Sequence, residues 1–210
     1  MSLVEAFATS FVVAFSGAIM PGPLLTATIS ESAQRGAVAG PILVIGHSLL
    51  ELAMLVAILA GVKKFLGMDG VFVGISLSGA TVLLAMAVGM FRSLPSLSLD
   101  FEPKERVGGR LVVRGAAMSI ANPYWTIWWA TIGVFYVALN LERSVFAVAA
   151  FYLGHISGDL VWYSAVSIGV AKGRRLLTDR LYRWVVGVCA GVLAIFAFIF
   201  VHAGIRRLLT

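Results

Sequence analysis

Six long apolar windows, over residues 3–30, 37–62, 71–90, 111–139, 145–171 and 181–205, alternate with shorter polar stretches along the chain. Each matches the roughly 20 residues that an α-helix needs to cross a hydrocarbon core of about 30 Å. None alternates residue by residue, and all are far longer than the tilted strands of an outer-membrane barrel. The pattern predicts an all-α membrane protein with six transmembrane helices. One polar connection is longer than the rest and mixes both signs of charge. It divides the chain into a three-helix unit over 1–91, a basic polar loop over 92–110 and a second three-helix unit over 111–210.

Composition agrees with the pattern. Of 210 residues, 60% are hydrophobic and 12% charged, whereas soluble domains carry about 25% charged residues. A net charge of +6 would suggest nucleic acid for a soluble protein, but the basic residues here sit between apolar windows and are read as topogenic, with no nucleic-acid partner. Eleven of the 16 fall after the first, third and fifth windows, at Arg35, Arg92, Lys104, Arg106, Arg110, Arg114, Lys172, Arg174, Arg175, Arg180 and Arg183. Only Lys63, Lys64, Arg143, Arg206 and Arg207 lie on the other side. The positive-inside rule therefore predicts both termini outside and cytoplasmic loops around 92–114 and 172–183, in a multi-pass cell (inner) membrane protein. No Lys or Arg precedes Arg35, so the first window reads as a permanent span rather than a signal peptide.

An internal duplication runs through the two units. Gly46-His47-Ser48-Leu49-Leu50-Glu51 in the second window is echoed by Gly154-His155-Ile156-Ser157-Gly158-Asp159 in the fifth. Each follows a window interrupted by proline, at Pro21-Gly22-Pro23 and at Asn122-Pro123. A three-span unit begins and ends on opposite sides of the membrane, so its duplication gives two inverted three-helix repeats, here with proline-broken first and fourth helices.

The scarce polar groups mark the candidate chemistry. A charged carboxylate at the centre of a membrane helix costs about 2.5–3.5 kcal/mol on insertion scales, so Glu51 and Asp159 need a partner, a water-filled cavity or a proton. His47 and His155 each precede a carboxylate by one helical turn and share its helix face. These groups either bind substrate and protons in a transport path or form buried structural pairs. At Pro21-Gly22-Pro23 the helix should break, which exposes amides and a half-helix dipole able to hold a small carboxylate, with Thr26, Thr28 and Ser30 just downstream. A plain kink is the alternative. Tyr124, Trp125, Trp128 and Trp129 follow the second break and could enclose a ligand or form an interfacial belt. Gly187 and Gly191 predict a close helix contact, within the chain or in a homodimer. The lone Cys189 excludes an internal disulfide and a cysteine metal cage. No HExxH or GxSxG motif occurs, so neither an enzyme nor a cofactor is expected.

Met20-Pro21-Gly22-Pro23 followed by Gly36, Gly40 and Gly46, together with the later Asn122-Pro123, resembles the lysine exporter (LysE-type) family of amino-acid translocators, and the resemblance covers nearly the whole chain. It implies a secondary exporter of amino acids or related small metabolites, driven by an ion gradient. It also implies a substrate path near Pro21, Gly22, Pro23, Asn122 and Pro123. Added to the residue reading, it gives an amino acid whose carboxylate meets the amides after Pro23, near Thr26, and whose ammonium meets Glu51 or Asp159. Proton coupling would run through Glu51, Asp159, His47 and His155. The alternative is a divalent transition-metal transporter that uses the same two His and two carboxylates.

Overall fold

The computed structural model describes residues 2–62, 68–97, 108–173 and 178–209, with the backbone alone at positions 62, 69, 72, 75, 108 and 123. Among the described residues there are helices and no strands. The first helix, α1 (Leu3–Ala18), starts at a capping box in which Ser2 and Glu5 bond each other's backbone amides. It stops where Pro21 and Pro23 deny the backbone two amide donors, and α2 (Pro23–Arg35) leaves at 84° to it. A turn at Gly36, with φ +81°, leads into α3 (Ala39–Ala57) and a π-helical turn, Ile58–Val62. Then come α4 (Asp69–Ser93), α5 (Gly108–Ile120), α6 (Pro123–Trp128), a π-helical turn (Trp129–Gly133), α7 (Val134–Leu141), α8 (Val145–Gly173) and α9 (Asp179–Leu209).

Among the described residues, four stretches are long and apolar enough to cross a membrane: Ala39–Gly61, Ser76–Ser96, Val145–Gly173 and Asp179–Leu209. The bent pair α1 and α2 makes a fifth if it counts as one span. The fourth predicted window is divided more finely than its sequence suggests, into α5, α6 and α7. Pro123 lacks an amide hydrogen, and the chain turns at Ala121 and Asn122. The π-helical turn follows at Trp129, where a Cβ on Gly133 would stand only 2.6 Å from the Trp129 ring. Of the basic residues used to orient the chain, Lys63, Lys64, Lys104, Arg106, Arg174 and Arg175 lie outside the described residues, as does most of the predicted 92–110 loop.

Close approach through glycine sets the packing. Gly46 on α3 lies against the Val112 carbonyl of α5, and Gly154 on α8 lies against the Phe7 carbonyl of α1. Neither site has room for a Cβ. Each glycine immediately precedes a histidine, so both Gly-His pairs occupy equivalent helix contacts. Gly115 repeats the device against Leu43, and Gly40 fits beneath Tyr163 and Ser167, where α3 meets α8. Small residues of this kind bring membrane helices together where no hydrophobic gain separates lipid from protein. The predicted Gly187 and Gly191 contact is only partly realised within the chain: Gly187 touches Leu94, while Gly191 borders open space. Large apolar side chains such as Leu49, Val56, Ile195 and Phe198 stay exposed, as suits a surface in lipid.

Candidate functional site

Helix α3 carries His47 and Glu51 one turn apart, and α8 carries His155 and Asp159 in the same relation. Because α3 and α8 cross, the four side chains meet. His47 Nε2 lies 3.1 Å from Glu51 Oε1 and 3.6 Å from Asp159 Oδ2. His155 Nε2 lies 3.3 Å from Glu51 Oε1 and 3.5 Å from Asp159 Oδ2. Imidazole and carboxylate thus alternate around a ring. All four residues are buried, with Glu51 only 1% exposed. The two sequence-predicted pairs are one constellation, assembled where α3 meets α8.

Its neighbours were not legible as such. Trp125 Nε1 and Trp129 Nε1, one turn apart, both donate to Glu51 Oε1, at 3.3 and 3.0 Å. Ser119 Oγ stands 2.7 Å from His47 Nδ1 and gives its own proton to the Gly115 carbonyl. It therefore accepts from His47 Nδ1–H, which leaves Nε2 as the nitrogen facing the carboxylates. His155 has no such tether. Among the described residues its Nδ1 has no hydrogen-bond partner, and its ring lies among Trp128, Trp129 and Phe151. Glu51 Oε2 and Asp159 Oδ2 likewise lack hydrogen-bond partners among the described residues.

The constellation lines a partly open cavity. Gly22, Leu24 and Leu25 line it from the start of α2, and Asn122, Tyr124, Trp125 and Trp128 line it from α6. Gly22 caps α2 without a side-chain bond, so the Leu24 and Leu25 amides begin that helix with no carbonyl four residues back to bond. Asn122 Oδ1 accepts from the Tyr124 amide, capping α6. The two proline breaks therefore converge on one cavity. Pro21 and Pro23 shape the wall without lining it, and Pro123 is the first residue of α6. The hydroxyls of Thr26 and Thr28 bond the Gly22 and Leu24 carbonyls within α2, and neither residue lines the cavity.

A third buried carboxylate escaped the sequence reading. Glu31, 4% exposed, pairs with Arg35 one turn on and with Arg114 of α5. The visible signal was its spacing of four residues from Arg35, although the window boundary placed it at a span end.

Helices of spanning length, with two shorter helices that begin at proline breaks and a buried polar centre that reaches a cavity, define a multi-pass membrane protein. Comparison with protein families matches residues 15–204 to the LysE type translocators. The chain belongs to that family, whose members move amino acids or related compounds across membranes. No curated protein and no solved structure matches it.

Proposed function

We propose that this protein is a secondary exporter of zwitterionic amino acids or closely related metabolites, coupled to protons, in the cell (inner) membrane. The observation that carries the reading is a cavity lined both by an uncapped half-helix start and by a pair of buried carboxylates. The amino acid's carboxylate fits against the Leu24 and Leu25 amides, where the α2 dipole favours negative charge. Its ammonium fits between Glu51 and Asp159, and its side chain fits among Leu25, Trp125 and Trp128.

His47 Nε2 stands between two carboxylate oxygens, a position that calls for a positive centre. A proton fills it in the empty site and the substrate ammonium takes over that role, so the two alternate. Each charge moved across 100 mV is worth about 2.3 kcal/mol, enough for one exchanged proton to sustain a concentration gradient.

The architecture behind this reading is two inverted three-helix repeats, 1–91 and 111–210, joined by the 92–110 loop, with α5 to α7 as a broken fourth span of six. Equivalent Gly-His contacts at Gly46 and Gly154 support it. The positive-inside rule then puts both termini outside, and the open face at Gly191 suits a homodimer. The test is flux of labelled amino acids in proteoliposomes under an imposed pH gradient. Gradient-dependent flux that collapses in both Glu51→Gln and Asp159→Asn is expected, and unchanged flux in both removes the proposed role.

A further inference from the structure

We propose that α2 is a hinged lid that closes the cavity on the side of Arg35, and that the Ser32–Ser167 and Glu31–Arg114 contacts are the latch that holds it shut. The inference rests on the exporter reading, because a cavity that passes a solute across a membrane must open to each side in turn. Helix α1 runs along α8, with Phe7 against Gly154 and both Phe11 and Ala14 against Gly158. Helix α2 leaves α1 at 84°, so it crosses α8 instead of following it. Its first residues, Gly22, Leu24 and Leu25, line the cavity. Its 13 residues then carry the chain about 20 Å, at about 1.5 Å per residue, to Arg35. Both of its ends can pivot. Pro21-Gly22-Pro23 breaks the chain before it, and Gly36 follows it at φ +81°, a conformation that favours glycine.

Polar contacts fasten the far half of α2. Ser32 Oγ and Ser167 Oγ of α8 lie 2.6 Å apart, and Ser167 Oγ also accepts from the Gly40 amide of α3 at 3.0 Å. Both serines are fully buried. Ser167 stands about two helical turns beyond Asp159, so the latch lies between the buried polar centre and the α8 end that carries Lys172. One residue before Ser32, Glu31 pairs with Arg114 of α5, whose side chain is 45% exposed. Hydroxyl pairs and partly exposed ion pairs contribute little net stability, because the same groups bond water once they part. Such contacts suit a closure that must open, while Ile29 and Ala33 seat the closed lid on Tyr182 and Val186 of α9. In the orientation proposed above the Arg35 side is the cytoplasm. The closed latch therefore shuts the face from which an exporter loads, and its release admits solute to the Leu24 and Leu25 amides.

The experiment ties the lid to α8. Ser32→Cys with Ser167→Cys places two thiols where the hydroxyl oxygens are 2.6 Å apart, within reach of a disulfide. In proteoliposomes oxidised with copper phenanthroline, amino-acid flux should fall by at least about tenfold, and dithiothreitol should restore it. Equal flux before and after reduction, with the cross-link confirmed by mass spectrometry, would overturn the proposal. A second measurement needs no transport and decides the matter if the double variant does not fold. Ser167→Cys alone, in purified protein, should react slowly with a soluble maleimide, and adding Arg114→Gln should speed that reaction about fivefold by loosening the latch. A labelling rate unchanged by Arg114→Gln overturns the lid, whereas absence of flux in the parent chain, with labelling accelerated as expected, counts against the exporter reading alone.

Discussion

Gly22 and Asn122, the residues that precede Pro23 and Pro123, lie side by side, so that a Cβ at position 22 would stand 3.3 Å from Asn122 Nδ2. Gly22 has φ −156° and ψ −173°, an extended conformation open to any residue, so the glycine is there for space. Gly22→Ala should leave stability within about 0.5 kcal/mol of the parent, as at sites without strain. Its KM for the exported amino acid should rise about tenfold, equivalent to about 1.4 kcal/mol. A lowered unfolding midpoint with unchanged KM would assign Gly22 to folding alone.

Glu51 has two separable tasks. Its Oε1 accepts from Trp125 and Trp129, and its charge faces two imidazoles. Glu51→Ala strands both indole donors, at about 1–3 kcal/mol for each buried unsatisfied group, and should lower the thermal midpoint. Glu51→Gln keeps an acceptor oxygen and removes the charge. It should fold, yet lose flux by at least about tenfold, a drop of about 1.4 kcal/mol in transition-state stabilisation. Wild-type flux in the Gln variant would show that the charge is dispensable.

The difference between what was and was not legible in the sequence lies in the range of each interaction. Gly-His-x-x-x-acid is a local pattern, so the pairs on α3 and α8 could be read in advance, as could the breaks at Pro21-Gly22-Pro23 and Asn122-Pro123. That both pairs form one ring depends on the crossing of α3 and α8, and there Gly40 lies against the Tyr163 carbonyl and Ser167, a contact that no local pattern encodes. Trp125 and Trp129 share a helix face by their spacing of four, but an indole suits an interface, a packed core or a buried acceptor equally well. Only Glu51 selects among these. Glu31 shows the opposite failure, because a plain hydropathy window ends on the helix that buries it.

The paired glycines give a stability test with an internal control. Gly46→Ala and Gly154→Ala each push a methyl group into a backbone carbonyl of the neighbouring helix. Overpacking of this sort costs about 1–3 kcal/mol, and the two variants should lose similar amounts because the contacts are equivalent. Gly169, also within α8, has nothing within 4 Å of the place a Cβ would occupy. Gly169→Ala should therefore be neutral or stabilising by up to about 1 kcal/mol through helix propensity. Thermal unfolding in detergent decides the matter, and equal effects at positions 154 and 169 would refute close packing at the first.

The Glu31 cluster should behave asymmetrically. Glu31 and Arg35 are largely buried, whereas 45% of the Arg114 side chain is exposed. Removing the carboxylate breaks the ion pairs to both Arg35 and Arg114 at a buried group, a loss that reaches about 3–5 kcal/mol for fully buried pairs. Removing Arg114 leaves Glu31 paired to Arg35 and should cost about 1 kcal/mol or less, as for exposed ion pairs. Glu31→Ala is thus expected to lower the thermal midpoint more than Arg114→Ala, and the reverse order would show that the inter-helix pair dominates.

Topology can be read with single cysteines, since Cys189 is only 2% exposed and should contribute little background labelling. Ser96 ends the helical turn after α4, and Arg143 sits in the turn between α7 and α8, both exposed. The proposed six-span arrangement puts Ser96 in the cytoplasm and Arg143 outside, which requires the broken segment from α5 to α7 to cross the membrane once. Ser96→Cys should then react with a membrane-impermeant maleimide only after cells are permeabilised, while Arg143→Cys should react at once in intact cells. Labelling of both from the same side would mean that α5 to α7 enter and leave by one face. That outcome would end the inverted-repeat reading, because the two halves would no longer contain equal numbers of crossings.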